Sequence, residues 1–145
     1  MSTYAPAVAQ VMDCYLGLTE TFIHEYLTAF RRVRPVVIAS RFENLKAFPL
    51  PPEASFHRSP PSRGTASWIR STLLRRLGDG DPHLERILAK EGARLVHAHF
   101  GPVACRLLEV RRRTGLPLVT SFYGYDASIN AVISEFGQEL IPILV

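Results

Sequence analysis

Acidic residues are absent from a long central window of this sequence: none stands between Glu53 and Asp79, whereas Arg58, Arg63, Arg70, Arg75 and Arg76 all fall there. An uncompensated cationic stretch favours anionic neighbours such as phosphates, nucleotides or an acidic membrane face. Cysteine is scarce as well. Cys14 and Cys105 show no CxxC spacing, so neither a disulfide framework nor a thiolate metal site is expected, and reduced, buried thiols are. No apolar run approaches the roughly 20 residues that span a bilayer, and the N-terminus lacks the charged-then-apolar layout of a signal peptide. The expectation is a soluble, cytoplasmic chain. A GxGxxG fingerprint is missing, which argues against a dinucleotide site, and no RNP-like or helix-turn-helix pattern supports nucleic acid as a partner.

What is present is a globular balance. The 145 residues are 47% hydrophobic and 21% charged, enough for one domain with a real core, and the formal net charge is +4 with a pI near 9.4. Residues 7–12 read as a buried strand. Phe22, Ile23, Tyr26, Leu27 and Phe30 then recur at helical spacing, with Arg31, Arg32 and Arg34 suited to that helix's C-terminal end and Pro35 closing it before a strand at 36–39. Residues 41–67 gather prolines ("FPLPP", "SPPSRG") without periodicity and read as a long surface loop. Trp68, Ile69, Leu73, Leu74 and Leu77 then oppose Arg70, Arg75 and Arg76 on a short cationic amphipathic helix, stopped by Gly78 and Gly80.

Asp81 as N-cap and Pro82 at the first helical position open another helix that stops at Gly92. Residues 95–100 form the next strand, Gly101 and Pro102 start a helix ending at Gly115, and residues 116–121 make a further strand. Strands alternating with helices imply parallel pairing through right-handed crossovers, hence an α/β, doubly wound, Rossmann-like parallel sheet in a single domain over residues 1–145. Such sheets bind ligands at their carboxyl edge, so the functional candidates are the loops that leave the strands.

In "YLGLTETF", Gly17 permits a tight turn, Thr19 and Thr21 are possible helix caps, and the free N–H groups at the helix start suit a phosphate. In "HAH", His97 and His99 sit two apart on a strand and share a face. Two ligands do not make a metal site, and a metal-dependent hydrolase would need a third. His97, within the strand, reads as structural, and His99, near the carboxyl edge, reads as able to reach a ligand. "FYGYDAS" opens at the same edge: Gly124 allows close backbone approach, Asp126 can accept from hydroxyls or cap a helix, and Tyr123 and Tyr125 offer phenols with flat faces suited to sugars. The helix around Trp68 fits an acidic membrane surface, with Arg70, Arg75 and Arg76 near headgroups, or a solvated face.

Four stretches together, "LTETFIHEYL" at 18–27, "RFENLKAFPLP" at 41–51, "LVHAHFGP" at 95–102 and "LPLVTSFYGYDAS" at 116–128, resemble the N-terminal half of family 4 glycosyltransferases, especially those of colanic-acid and related exopolysaccharide assembly. The resemblance implies one half of a GT-B fold: an acceptor domain facing a donor domain across a cleft, with no metal or cofactor required. It implies that the loop of Gly17, Thr19, Glu20 and Thr21 approaches the phosphates of a nucleotide sugar and that His99, Tyr123 and Asp126 lie at the reacting centre. Gly101, Gly124 and Tyr125 would line the acceptor cleft, which takes a saccharide or lipid-linked acceptor at the inner membrane face. Relatives with a histidine at position 123 use it near the reacting sugar, so Tyr123 is a departure, and a phenol with a pKa near 10 is a poor base at neutral pH. Nothing matches the family's C-terminal donor domain, and residues 129–145 lack the basic, aromatic continuation expected after "YGYDAS". The expectation is an acceptor domain inactive by itself. A noncatalytic module for an anionic lipid or polymer is the alternative, and a His97/His99 metal-dependent hydrolase a second one.

Overall fold

The computed structural model describes residues 5–17, 20–59, 69, 73, 80–124 and 126. Within them the order is β1 (Ala7–Tyr15), α1 (Thr21–Ala29), β2 (Arg34–Phe42), β3 (Ser55–Arg58), α2 (Pro82–Glu91), β4 (Ala93–His99), α3 (Gly101–Thr114) and β5 (Leu118–Ser121). All pairings among these strands are parallel, in the order β3-β2-β1-β4-β5. The sequence order reverses at β1, so the switch point of this Rossmann-like sheet lies between β1 and β4.

Period-two alternation builds two cores. Ala7, Ala9 and Val11 of β1, Val36 and Ile38 of β2, and Val96 and Ala98 of β4 pack with Leu84, Ile87 and Leu88 of α2 and Val103, Leu107 and Val110 of α3. The intervening Met12, Val37 and Ala39 face the other way, against Ile23 and Leu27 of α1. Ile23 and Leu27 have no exposed surface, and such burial contributes about 1.5–3 kcal/mol per side chain. His97 and His99 keep the parity of the second face, the one α1 covers.

Helix ends follow their local chemistry. Asp81 accepts from Leu84 N–H at 3.2 Å, Pro82 follows it, and Gly92 closes α2 in the left-handed region at φ 64°. Gly115 closes α3 likewise at φ 68°, after Arg111, Arg112 and Arg113 in the last turn. Helix α1 stops earlier than its arginines imply. It ends at Ala29; Arg31 reaches back to the Thr28 carbonyl at 2.7 Å, whereas Arg34 is already the first residue of β2. Pro35 lies inside that strand, before β3 begins to pair at Val36, so its missing N–H costs nothing on that side.

The stretch read as loop contains strand β3. Its four residues, Ser55–Arg58, carry no apolar alternation of their own, and Phe56 is 62% exposed. Pairing with β2 makes it a strand, and Glu91 at the end of α2 anchors it. The Glu91 carboxylate accepts from Arg34 at 2.8 Å, Ser55 at 3.0 Å and His57 at 2.7 Å. Burial alone would raise this carboxyl's pKa, but those three donors overcome it and hold it down to about 2. Cys105 is buried and Cys14 partly so, and no disulfide joins them.

Candidate functional site

The carboxyl ends of β4 and β5 lie side by side, with His99 opposite Ser121. This register brings the loop after β5 over the end of β4. His97 Nε2 stands 2.8 Å from Ser121 Oγ, and His99 Nδ1 stands 2.9 Å from the Tyr123 hydroxyl. The rings of His99 and Tyr123 are nearly parallel, 7° apart. Tyr26 of α1 closes over both histidines edge-on, its centroid 5.7 Å from His97 and 6.4 Å from His99. Phe22 and Phe100 flank Tyr123 at 4.7 and 4.8 Å.

His99 therefore does not reach a ligand at the edge, as its position in the strand suggested. It has 0% exposure, less than the 4% of His97, because Tyr26 and Tyr123 lie over it. Burial, reinforced by the neighbouring His97, pushes its pKa down to about 3, so the ring is neutral at any physiological pH. Burial lowers the pKa of His97 too. The half-buried Tyr123 phenol is pushed up by burial, which keeps it protonated at neutral pH. Tyr123 thus presents the outer end of this polar column.

Asp126 organises the backbone here. It is 2% exposed, and its carboxylate accepts from Gly101 N–H at 2.5 Å and from Tyr123 N–H at 2.7 Å. One side chain thereby caps α3 from outside the helix and ties Tyr123 to it. That cap stands in for the residue before α3: Phe100 makes no side-chain cap and sits at φ 79°, a costly region for an aromatic residue. Two of Asp126's oxygen positions are thus occupied by backbone. Gly101 is buried under it, and Gly124 is exposed with open space where a Cβ would stand. Tyr125 lies outside the described residues.

In the first loop Thr21 does not cap α1, and the residue before the helix, Glu20, makes no side-chain cap hydrogen bond either. Thr21 is already the first residue of α1, one position too far along to cap it, and Thr19 lies outside the described residues. Glu20 holds the cap position, and its carboxylate accepts from Gly17 N–H at 3.2 Å while Glu20 N–H donates to the Gly17 carbonyl at 3.0 Å. The Gly17 N–H is therefore already bonded to a carboxylate.

Sequence reasoning missed Gln10, Phe22 and Tyr26 as parts of this site. Gln10 reads as one polar residue in a buried strand, and the two aromatics read as core, yet they are 40% and 48% exposed beside Tyr123 and the histidines. It also missed the other flank of the carboxyl edge, where Asp13, Ser40, Ser59, Asp81 and Arg106 line a cavity of about 280 Å³ on the α2–α3 side. Among the described residues no group of three or more His, Cys, Asp or Glu is placed to hold a metal ion. Trp68, Arg70, Arg75 and Arg76 lie outside the described residues; Ile69 and Leu73, on the same predicted helix, are helical and exposed by 57% and 56%. No helix among the described residues is long and apolar enough to cross a membrane.

No protein-family model matches the chain, and no curated protein does. Solved structures do. UGT2 from Phytolacca americana, complexed with UDP-2-fluoro-glucose and pterostilbene, is similar over 84% of this chain and 31% of its own, at 16% identity and a TM-score of 0.52. The apo form of UGT2 is similar over 81% and 29%, at 15% identity and a TM-score of 0.51. A weaker likeness, at 13% identity and a TM-score of 0.48, is to the C-terminal domain of a Pyrococcus furiosus hydrogenase. The chain has a Rossmann-like α/β fold with a parallel sheet, matching that of glycosyltransferase structures of the GT-B type. It spans less than a third of the length of UGT2.

Proposed function

We propose that this chain is the acceptor-side domain of a retaining glycosyltransferase, which moves a sugar from a nucleotide sugar to a saccharide or lipid-linked saccharide in exopolysaccharide assembly. The observation that carries the reading is the meeting of His99, Tyr123 and Asp126 at one carboxyl edge, with Phe22 of α1 against Tyr123. They meet in a fold shared with an enzyme whose complex holds a UDP-sugar. The protonated phenol of Tyr123 hydrogen-bonds a sugar hydroxyl, and Phe22 and Tyr26 offer apolar faces to the ring. Neither His99 nor Tyr123 serves as base, since one is buried and neutral and the other holds its proton; the departing phosphate takes the proton of the acceptor hydroxyl. No metal takes part.

Catalysis on this reading needs a donor-binding domain besides this one, and the chain by itself is silent. The test incubates the purified chain with a panel of nucleotide sugars and saccharide acceptors, following transfer and nucleotide release. Robust turnover by the chain alone would overturn the division of labour. Absence of saccharide binding to the wild type, with Tyr123→Phe unchanged from it, would overturn the site.

The exposure of Ile69 and Leu73, one helical turn apart in the acid-free window, favours a peripheral contact with the inner membrane face. Sedimentation with acidic and neutral liposomes tests it. Binding that survives Arg70→Glu, Arg75→Glu and Arg76→Glu together would sink it.

A further inference from the structure

Beneath Tyr123 the polar column ends on a residue that the proposed chemistry leaves unused. Gln10 lies in β1, the central strand, with no exposed surface, and pairs with Val37 on one side and His97 on the other. Its carbonyl oxygen stands 2.9 Å from His99 Nε2, and His99 Nδ1 stands 2.9 Å from the Tyr123 hydroxyl. Its amide nitrogen has no hydrogen-bond partner among the described residues. A methionine of similar shape would fill this place without leaving a buried donor unpaired, so packing alone does not account for the amide.

The donor and acceptor inventory fixes the rest. A carbonyl oxygen only accepts, so the bond to Gln10 requires a proton on His99 Nε2, and a neutral imidazole has only one. Nδ1 is then a bare lone pair and accepts from the Tyr123 hydroxyl. The phenol proton points inward, and the phenol oxygen offers only lone pairs to its exposed side. Turning the Gln10 amide would reverse the column: its nitrogen would donate to Nε2, Nδ1–H would donate to the phenol oxygen, and the phenol proton would point outward.

We propose that Gln10 is a positioning residue which holds the His99 proton on Nε2 and so makes the Tyr123 phenol a hydrogen-bond acceptor toward a hydroxyl-bearing ligand. The ligand class, a saccharide, rests on the glycosyltransferase reading; the proton position does not. Gln10 acts through His99 and Tyr123 and touches no substrate itself.

The experiment records long-range proton–nitrogen spectra of the uniformly labelled chain at neutral pH, with His99 assigned by its loss in His99→Asn. The wild type is expected to show the Nε2–H tautomer. Gln10→Glu, which keeps an acceptor at this position, keeps that tautomer, whereas Gln10→Met moves the proton to Nδ1. Nδ1–H then donates to the phenol oxygen and favours its anion, so Tyr123 becomes roughly tenfold more acidic by ultraviolet titration against Tyr123→Phe. An Nδ1–H tautomer in the wild type overturns the proposal even if no Gln10 variant folds, and so does an unchanged tautomer in folded Gln10→Met. If the Nε2–H tautomer holds but no saccharide shifts the Tyr123 ring signals, the glycosyltransferase reading fails and the relay stands.

Discussion

Replacing His99 by asparagine should flatten the acid side of the stability curve. In the native state the imidazole is held neutral down to a pKa of about 3 by burial and by His97, while in the unfolded chain it titrates near the ordinary 6.5. Between those values the unfolded chain takes up a proton that the native state refuses, so native stability falls as pH falls below 6.5. At pH 5 the unfolded imidazole is about 97% protonated, and the loss relative to pH 8 is about 2 kcal/mol; it grows to about 4 kcal/mol at pH 3. His97 adds in the same direction. Urea unfolding at pH 8, 7, 6 and 5 measures this as a falling midpoint at constant slope. His99→Asn loses stability at pH 8 because Gln10 and Tyr123 lose partners, but its unfolding free energy should fall by about 2 kcal/mol less over the range than that of the wild type. A wild type indifferent to pH from 8 to 5, or a His99→Asn variant as acid-sensitive as its parent, would refute the burial argument.

Three further outcomes follow from single contacts. Asp126→Ala leaves the Gly101 and Tyr123 amides without their carboxylate and should cost about 2–4 kcal/mol, with both amides losing hydrogen-exchange protection ahead of the sheet. Glu91 contributes stability that is fully present above its unfolded pKa near 4.5 and lost as pH falls toward about 2, an amount of about 3 kcal/mol; Glu91→Gln should remove that dependence in acid titrations of the fold. Gly80, at φ 76°, would place a Cβ 2.6 Å from Glu85 Oε1 and 2.7 Å from Arg113 Cδ, whereas Gly92, at φ 64°, faces open space. Gly92→Ala should cost about 1 kcal/mol from backbone strain alone, and Gly80→Ala more, because the Glu85–Arg113 pair has to shift as well; thermal unfolding of the two variants ranks them.

Much of the architecture was legible because its signals are local. Asp81 with Pro82, Gly92, Gly101 with Pro102, and Gly115 each act within a few residues of chain, and all mark helix ends where the structure has them. Strand β3 was not legible, since its partner β2 and its anchor Glu91 supply what its own four residues lack. The arginines after α1 misled because a cation near a helix end looks the same in sequence whether it lies in the last turn or, like Arg34, begins the next strand.

The site divides the same way. Residue order is enough to put His97 and His99 on one face, to bring Tyr123 and Asp126 off a neighbouring strand at the same edge, and to alternate strand and helix, because periodicity and parallel connection rules need nothing more. The surroundings of those residues come from the folded chain. Burial beneath Tyr26 and Tyr123 makes His99 a neutral internal partner, backbone contacts turn Asp126 into a distant helix cap, and a register across three strands places Gln10 under both. Burial, hydrogen-bond partners and pKa are properties of surroundings assembled from distant parts of the chain, 89 residues apart in the case of Gln10 and His99, and no local pattern contains them.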